Sequence, residues 1–249
     1  MARTVQLEVH DGNLTKTLTG FCADLLTTGK LEALLVPLEL PDKTNVVPAL
    51  VTDSTKLDSA RFLAPLMPVN TARVISDMTK VTPSSKKIGV VLRNCEIRAL
   101  IELVKLRQAS LENIILIGID CPGTYTVNDY TGRIAKGESP GETILQGFRK
   151  GEEDPDVRQS CAICSYPLAQ NADLTIELMG HDIEKSIAIT AATDSGEALL
   201  EGTELPEDTA TEKRTKTIEE VLAKQADKRE KFFKENASRF KGVDQLMSV

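Results

Sequence analysis

The chain has 249 residues, with 30 Lys and Arg against 37 Asp and Glu, a formal net charge of −7 and a pI near 5.1. That acidity repels phosphate backbones and excludes nucleic acid as a partner; with no Trp and 4% aromatic residues there is no platform for stacking bases either. No apolar run approaches the ~20 residues of a membrane span, and Met-Ala-Arg-Thr-Val-Gln at the start has no basic flank leading into an apolar stretch, so a cytoplasmic chain of one large or two small domains is expected.

Residues 13–29 carry Leu14, Leu18, Phe21 and Leu25 on one stripe, with Asn13 placed as a cap and Gly29 as a stop, which predicts a helix. Cys22 sits on it and is expected in the core, as a small hydrophobe. His10, just before, is expected to face solvent. The apolar run 31–38 predicts a buried strand, and Pro37 within it argues for an edge or an ending. Residues 45–52 predict another strand, after which Asp53 or Ser54 caps a short helix bearing Leu57, Ala60 and Ala64.

Residues 87–121 form the clearest unit. Ile88–Leu92 predicts a strand, Ile97, Leu100, Ile101 and Val104 predict a helix over 96–108, and Ile114–Ile119 predicts a second strand. Strand, helix and strand at this spacing make a βαβ unit, so the two strands are expected to be parallel neighbours. Cys95 follows the first strand and Cys121 the second, which puts both at the C-terminal edge of the sheet, where open α/β sheets carry their sites.

Residues 122–157, rich in Gly, Pro, Asp and Glu, predict a long loop with one short helix near 140–149. Strands are expected at Leu174–Met179 and Ser186–Thr190, a turn at Asp194-Ser195-Gly196, and a polar linker over 203–215. His181 is expected in a turn. Residues 216–241 predict a charged amphipathic helix with Ile218, Leu222, Phe233 and Phe240 at helical offsets, its charges forming a solvated face and its length offering a docking surface.

Five cysteines occur, an odd count that suggests four plus a bystander. Disulfides explain such a set poorly in a cytoplasmic chain. Cys161 and Cys164 form a C-x-x-C pair, and neighbouring strands ~4.8 Å apart bring Cys95 and Cys121 within reach of one site. Four thiolates suit a cubane iron–sulfur cluster and equally a structural zinc ion. Spacing alone leaves both open, together with a thiol–disulfide pair.

Arg93-Asn94-Cys95-Glu96-Ile97-Arg98-Ala99-Leu100, the Gly118-Ile119-Asp120-Cys121 strand end, and Cys161-Ala-Ile-Cys164 followed by Ala172-Asp173 and by a strand closing on Asp194-Ser195-Gly196 occur in one order along the chain. This ordered set resembles the β subunits of formate dehydrogenases and deazaflavin-reducing hydrogenases, over residues ~30–245. The resemblance implies an electron-transfer oxidoreductase subunit with FAD and one 4Fe-4S cluster, and Cys95, Cys121, Cys161 and Cys164 as cluster ligands. It implies a catalytic oxidoreductase subunit and a ferredoxin-like or heterodisulfide-reductase-like subunit as partners. Two departures stand out. The chain has no ferredoxin-like run of repeated C-x-x-C-x-x-C, and Arg93-Asn94 replaces the Thr-Pro of many relatives.

No G-x-G-x-x-G follows a strand, so a Rossmann-type FAD site is not indicated. Asn70, Arg73, Arg93 and Asn94 are the flavin-contact candidates, Arg93 first because it stands at the sheet's C-terminal edge. The expected architecture is α/β, a mixed sheet around a central parallel βαβ unit, with residues 1–205 as the flavin and iron–sulfur core and 206–249 as linker and C-terminal docking helix. The alternatives are a flavin-free iron–sulfur scaffold subunit and a zinc-stabilised interaction protein.

Overall fold

The structure is a computed structural model that describes residues 3–150, 154–208 and 212–240. In chain order the elements are β1 (Arg3–Glu8), α1 (Leu14–Thr27), β2 (Ala33–Glu39), β3 (Val46–Val51), α2 (Thr71–Thr79), β4 (Ile88–Arg93), α3 (Asn94–Lys105), β5 (Ile114–Ile119), α4 (Val127–Ala135), α5 (Pro140–Lys150), α6 (Gln159–Ala162), β6 (Leu174–Glu177), β7 (Ser186–Ala191), α7 (Asp194–Leu200) and α8 (Glu212–Phe240). Short 3-10 turns stand at His10–Gly12 and Ser54–Ser59.

The strands form one seven-stranded mixed sheet in the order β1-β7-β6-β5-β4-β2-β3. Its middle, β2-β4-β5-β6, is parallel, and β3, β7 and β1 add antiparallel flanks. The predicted unit β4-α3-β5 is present, and its register places Ile88 opposite Ile114 and Arg93 opposite Ile119. Every residue of β4 and β5 is buried, because helices cover both faces of the sheet. Val91, Ile115 and Ile117 pack with Leu18, Phe21 and Leu25 of α1 on one face, and Val90, Leu92 and Leu116 pack with Ile75 of α2 and Ile97 and Leu100 of α3 on the other. No helix among the described residues is long and apolar enough to cross a membrane.

Local signals hold where a cap or an apolar stripe stated them. Asn13 caps α1 by accepting from Lys16 N at 2.9 Å, and Asp53 caps the 3-10 turn by accepting from Thr55 N at 3.0 Å. Cys22 is wholly buried, and burial pushes its thiol up to about 12.

Other expectations are corrected. β2 is an interior strand despite Pro37, because its parallel pairing with β4 stops at Leu35, and Pro37 lies opposite Pro48 of β3 and accepts from Arg61 N at 2.8 Å. Residues 122–157 hold α4 as well as the expected α5, since Thr126 accepts from Asp129 N at 3.1 Å and starts a helix whose one buried residue is Tyr130. Asp194-Ser195-Gly196 is the first turn of α7 rather than a turn between strands, capped by Thr193, whose Oγ1 accepts from Gly196 N at 3.2 Å. β1 and α2 have short apolar patterns that had not predicted them. Of the expected linker, 206–208 lie along β1, with Gln6 N donating to Pro206 O and Asp208 N to Thr4 O. α8 begins at Glu212, four residues before the expected 216, and the expected last residue, 241, lies outside the described residues.

Gly196 has no room for a side chain, because a Cβ there would stand 1.9 Å from Asp173 O. Gly196→Ala must push α7 off the strand it caps, and the expected loss is about 3 kcal/mol, the upper end for overpacking. Thermal unfolding of the purified variant measures it.

Candidate metal centre

The C-terminal ends of β4, β5 and β6 form one edge of the sheet, and three chain segments bring cysteines to it. Cys95 lies in the first turn of α3, exposed. Cys121 lies two residues beyond β5, partly buried. Cys161 lies in α6 and Cys164 just after it, both partly buried. Among the described residues no three His, Cys, Asp or Glu side chains converge tightly enough to hold a single metal ion. Yet the cysteines are near enough to act on one another. The surrounding protein pushes the Cys95 thiol up although it reaches the surface, and Glu96, Cys161 and Cys164 add to this while Arg93 opposes it. Burial pushes Cys121 up to about 12, with Arg93 and the Gly123 N–H opposing and Cys161 and Cys95 adding.

Tertiary contacts fasten the C-x-x-C loop to the sheet edge. Cys121 N donates to Pro167 O at 2.9 Å. Asp120, 2% exposed, accepts from Ala169 N at 3.1 Å, Leu178 N at 2.9 Å and Met179 N at 3.0 Å, so one carboxylate ties the ends of β5 and β6 to the loop after Cys164. From α3, Arg98 stacks over the Tyr166 ring at 4.3 Å and Asn94 Nδ2 donates to Tyr166 O at 3.4 Å. Gly118 has no room for a Cβ, which would meet Ala169 Cβ at 2.7 Å and Ala172 Cβ at 3.0 Å. The Gly-x-x-Cys strand end therefore admits the 169–172 segment against β5. Asp173, next along, accepts from Leu116 N at 2.8 Å and from Thr193 Oγ1 at 2.6 Å, joining β5 to the start of α7.

Three of the sulfurs have a polar group against them. Tyr166 N donates to Cys164 Sγ at 3.4 Å, and Gly123 N–H reaches Cys121, in each case from two residues beyond the cysteine. Thr124 Oγ1 lies 3.3 Å from Cys161 Sγ. Gly123 adopts φ +113°, and a Cβ there would meet Val157 at 2.9 Å. This is a backbone only glycine reaches without strain, and it lets the 121–124 segment close on α6. Behind it Tyr125, fully buried, donates from its hydroxyl to Asp154 at 2.8 Å, while Arg133 covers the Tyr125 ring at 4.6 Å and pairs with Asp154 at 2.9 Å and Asp156 at 2.6 Å. Burial first, then Asp154, holds the Tyr125 hydroxyl far above its ordinary value, so it remains a donor. Tyr125→Phe is expected to cost about 1.5–3 kcal/mol, the range for a hydrogen bond to a charged group, read as a lowered urea midpoint.

The flavin candidates are placed as follows. Asn70 caps α2, its Oδ1 accepting from Ala72 N at 3.0 Å. Arg73 lies exposed on α2, paired with Asp77 at 3.2 Å. Arg93 is buried, donating to Ala64 O at 2.7 Å and Leu66 O at 3.2 Å. Asn94 is buried, with Oδ1 unpartnered. Arg73 is thus a surface side chain, Asn70 and Arg93 are engaged within the chain, and Asn94 is engaged through Nδ2 alone. Burial works against the charge on Arg93, but Glu96, Cys121, Cys95 and Cys161 outweigh it and hold the guanidinium above its ordinary value. His181 is half-buried with Nε2 unpartnered, and burial, then Arg214, lowers it.

Glu96, Asp120 and Thr124 escaped the sequence reading. Glu96, 2% exposed, accepts from Thr71 N at 2.9 Å, Thr71 Oγ1 at 2.6 Å and Arg93 N at 3.1 Å, and so fills the N-termini of α2 and α3 together. Its place three residues after Arg93 is the capping-box position, a signal obscured by Arg where Ser or Thr is usual.

No family model matches the chain. Among curated proteins it is 23% identical over 221 residues to the F420-dependent formate dehydrogenase 1 subunit beta of Methanococcus maripaludis, an alignment covering 79% of this chain and 56% of that protein. It is 31% identical over 80 residues to the F420-dependent formate dehydrogenase subunit beta of Methanocaldococcus jannaschii, covering 32% of this chain and 20% of the relative. The chain thus spans little more than half the length of the first relative. Among solved structures, a chain of the F420-reducing NiFe hydrogenase complex from Methanosarcina barkeri shares the fold, with a TM-score of 0.64 at 12% identity over 94% of this chain and 91% of that one. The curated relatives agree with the order of the cysteine motifs in likening the chain to coenzyme-deazaflavin hydrogenase and formate dehydrogenase β subunits, and the solved hydrogenase chain shares its fold.

Proposed function

We propose that the chain is the electron-transfer β subunit of a multi-subunit oxidoreductase of formate dehydrogenase or hydrogenase type, and that Cys95, Cys121, Cys161 and Cys164 hold one 4Fe-4S cluster. The observation that carries this reading is the sheet edge itself: four free cysteines from three segments, with Gly123 N–H, the Thr124 hydroxyl and Tyr166 N–H against three of their sulfurs. Donors aimed at sulfur stabilise thiolates, the form that binds metal. The donor set fits the group, since four thiolates are the complement of a cubane cluster, which when bound takes up and gives up one electron at a time.

The remaining residues have supporting work in this reading. Arg93 sets a buried positive charge beside the thiolates and is itself fixed by Ala64 O, Leu66 O and Glu96. Asp120 holds the C-x-x-C loop to β5, and the Arg98–Tyr166 stack holds it to α3. The exposed charged face of α8, with Glu230, Lys231, Lys234 and Glu235, is the surface that meets a catalytic oxidoreductase subunit or a ferredoxin-like or heterodisulfide-reductase-like subunit in this reading. The two regions in this reading are 1–205, carrying the site, and 206–249, carrying the docking helix.

FAD enters by the resemblance alone. The residues named for it do not fit as a set, because Asn70, Arg73 and Arg93 are engaged within the chain and Arg73 lies out on the surface of α2. No step is drawn through a flavin. Those engaged side chains favour, as a second reading, an iron–sulfur subunit without flavin.

Anaerobic purification tests both. Broad visible absorbance bleached by dithionite, with iron and sulfide in equal amounts, is the expected result. A yellow fluorescent compound released on denaturation would establish the flavin and sink the second reading. Colourless protein with stoichiometric zinc would overturn the proposal.

A further inference from the structure

We infer that the Thr124 hydroxyl tunes the redox potential of this site by donating a hydrogen bond to Cys161 Sγ, an inference that rests on the cluster reading above. Thr124 is 2% exposed, and its Oγ1 stands 3.3 Å from the sulfur. A buried hydroxyl takes a partner, and among the described residues this sulfur is the one Thr124 Oγ1 has.

The placement is held from several sides. Thr124 O accepts from Arg158 N at 2.8 Å, at the foot of the helix that carries Cys161. Tyr125 N donates to Pro65 O at 2.7 Å, and Arg158 Nε donates to Tyr125 O at 2.7 Å. On the other side, Gly123 leaves no room for a side chain, whose Cβ would stand 2.9 Å from Val157. The hydroxyl is therefore presented to the sulfur by a rigid backbone, as a preorganised donor.

Thr124 also differs in kind from the other donors. Gly123 and Tyr166 reach their sulfurs through backbone N–H groups, which substitution leaves in place. Thr124 is the side-chain donor, and valine matches its shape without the hydroxyl. Hydrogen bonds to the sulfurs are among the terms that set a cluster's potential. An added electron makes the sulfurs more negative, so the donor stabilises the reduced state more than the oxidised one. The hydroxyl thus raises the potential, and its removal lowers it. Thr124 is in this sense a positioning residue that acts through Cys161.

The test uses the full chain and its Thr124→Val and Thr124→Ser variants, purified anaerobically and supplied with ferrous iron and sulfide. Iron content is measured first. A mediated equilibrium titration with dithionite then moves one electron between reductant and cluster, with no bond made or broken, and the midpoint is read from visible absorbance and electron paramagnetic resonance. The expected result is equal iron in all three proteins, a more negative midpoint for Thr124→Val, and the parent midpoint for Thr124→Ser. An unshifted Thr124→Val midpoint at full iron overturns the inference while leaving the cluster reading standing. So does a Thr124→Ser midpoint that moves as far as the valine variant's, or a Thr124→Val protein that loses its iron while the serine variant keeps it. A parent chain that takes up no iron removes the cluster reading and this inference together.

Discussion

Cys121→Ser is expected to strip the chain of iron, while Cys22→Ser keeps it. Cys121 stands where β5 ends, partly buried, with Gly123 N–H on its sulfur and Cys95 and Cys161 beside it. Serine places a shorter, harder oxygen at that point and leaves a corner of the site without its thiolate. Loss of a residue that merely supports a ligand costs about 10–100-fold in metal affinity, so loss of a ligand is expected to cost at least that. Iron and acid-labile sulfide per chain, measured after anaerobic reconstitution, check it. Cys22 provides the contrast, because it is wholly enclosed by the α1 face of the core. A serine hydroxyl there is buried among apolar side chains and is expected to cost about 1–3 kcal/mol of stability with iron unchanged. An iron content in Cys121→Ser equal to that in Cys22→Ser would remove Cys121 from the ligand set.

Glu96→Ala is expected to be the most destabilising single change around the site, at about 3–5 kcal/mol, the range for breaking a buried ion pair from one side. The carboxylate receives Thr71 N, Thr71 Oγ1 and Arg93 N, and faces Arg93 Nη1 at 3.7 Å. Alanine leaves these three donors without their acceptor, leaves the buried guanidinium, still held by Ala64 O and Leu66 O, without its counter-charge, and frees the starts of α2 and α3 from each other. Glu96→Gln keeps acceptor oxygen and shape, so a smaller loss is expected. Urea denaturation of the two variants gives the comparison, and a Glu96→Ala midpoint near the parent's would refute the assignment. Because Cys95 is the neighbour of Glu96, iron retention is expected to fall in the same variant.

The two cases show why the site was half legible. Cysteines are few and chemically distinct, and a strand followed within two residues by Cys is visible in the chain itself, so Cys95 and Cys121 could be placed at one edge from periodicity. Glu96 and Asp120 could not. Charged residues in a sequence suggest solvent, and what makes these two structural is the set of backbone N–H groups brought to them from β6, α2 and the 169 segment. Arg93 was legible only in part, for the same reason. Its position at the sheet edge was readable, but the carbonyls of Ala64 and Leu66 that occupy it come from a distant turn.

Local chemistry alone settled the βαβ unit, the caps Asn13 and Asp53, the burial of Cys22 and the long C-terminal helix, because each is written in apolar spacing or in a side chain bonding its own neighbours. The interior place of β2 was decided by pairing between segments far apart in the chain, where β4 happens to leave Pro37 free. The approach of the loop after Cys164 to the sheet edge that carries Cys95 and Cys121 was decided in the same way, by Cys121 N on Pro167 O, Asp120 on Ala169 N and Arg98 on Tyr166. A spacing motif names the residues that can bind; only non-local hydrogen bonds and packing bring them to one place.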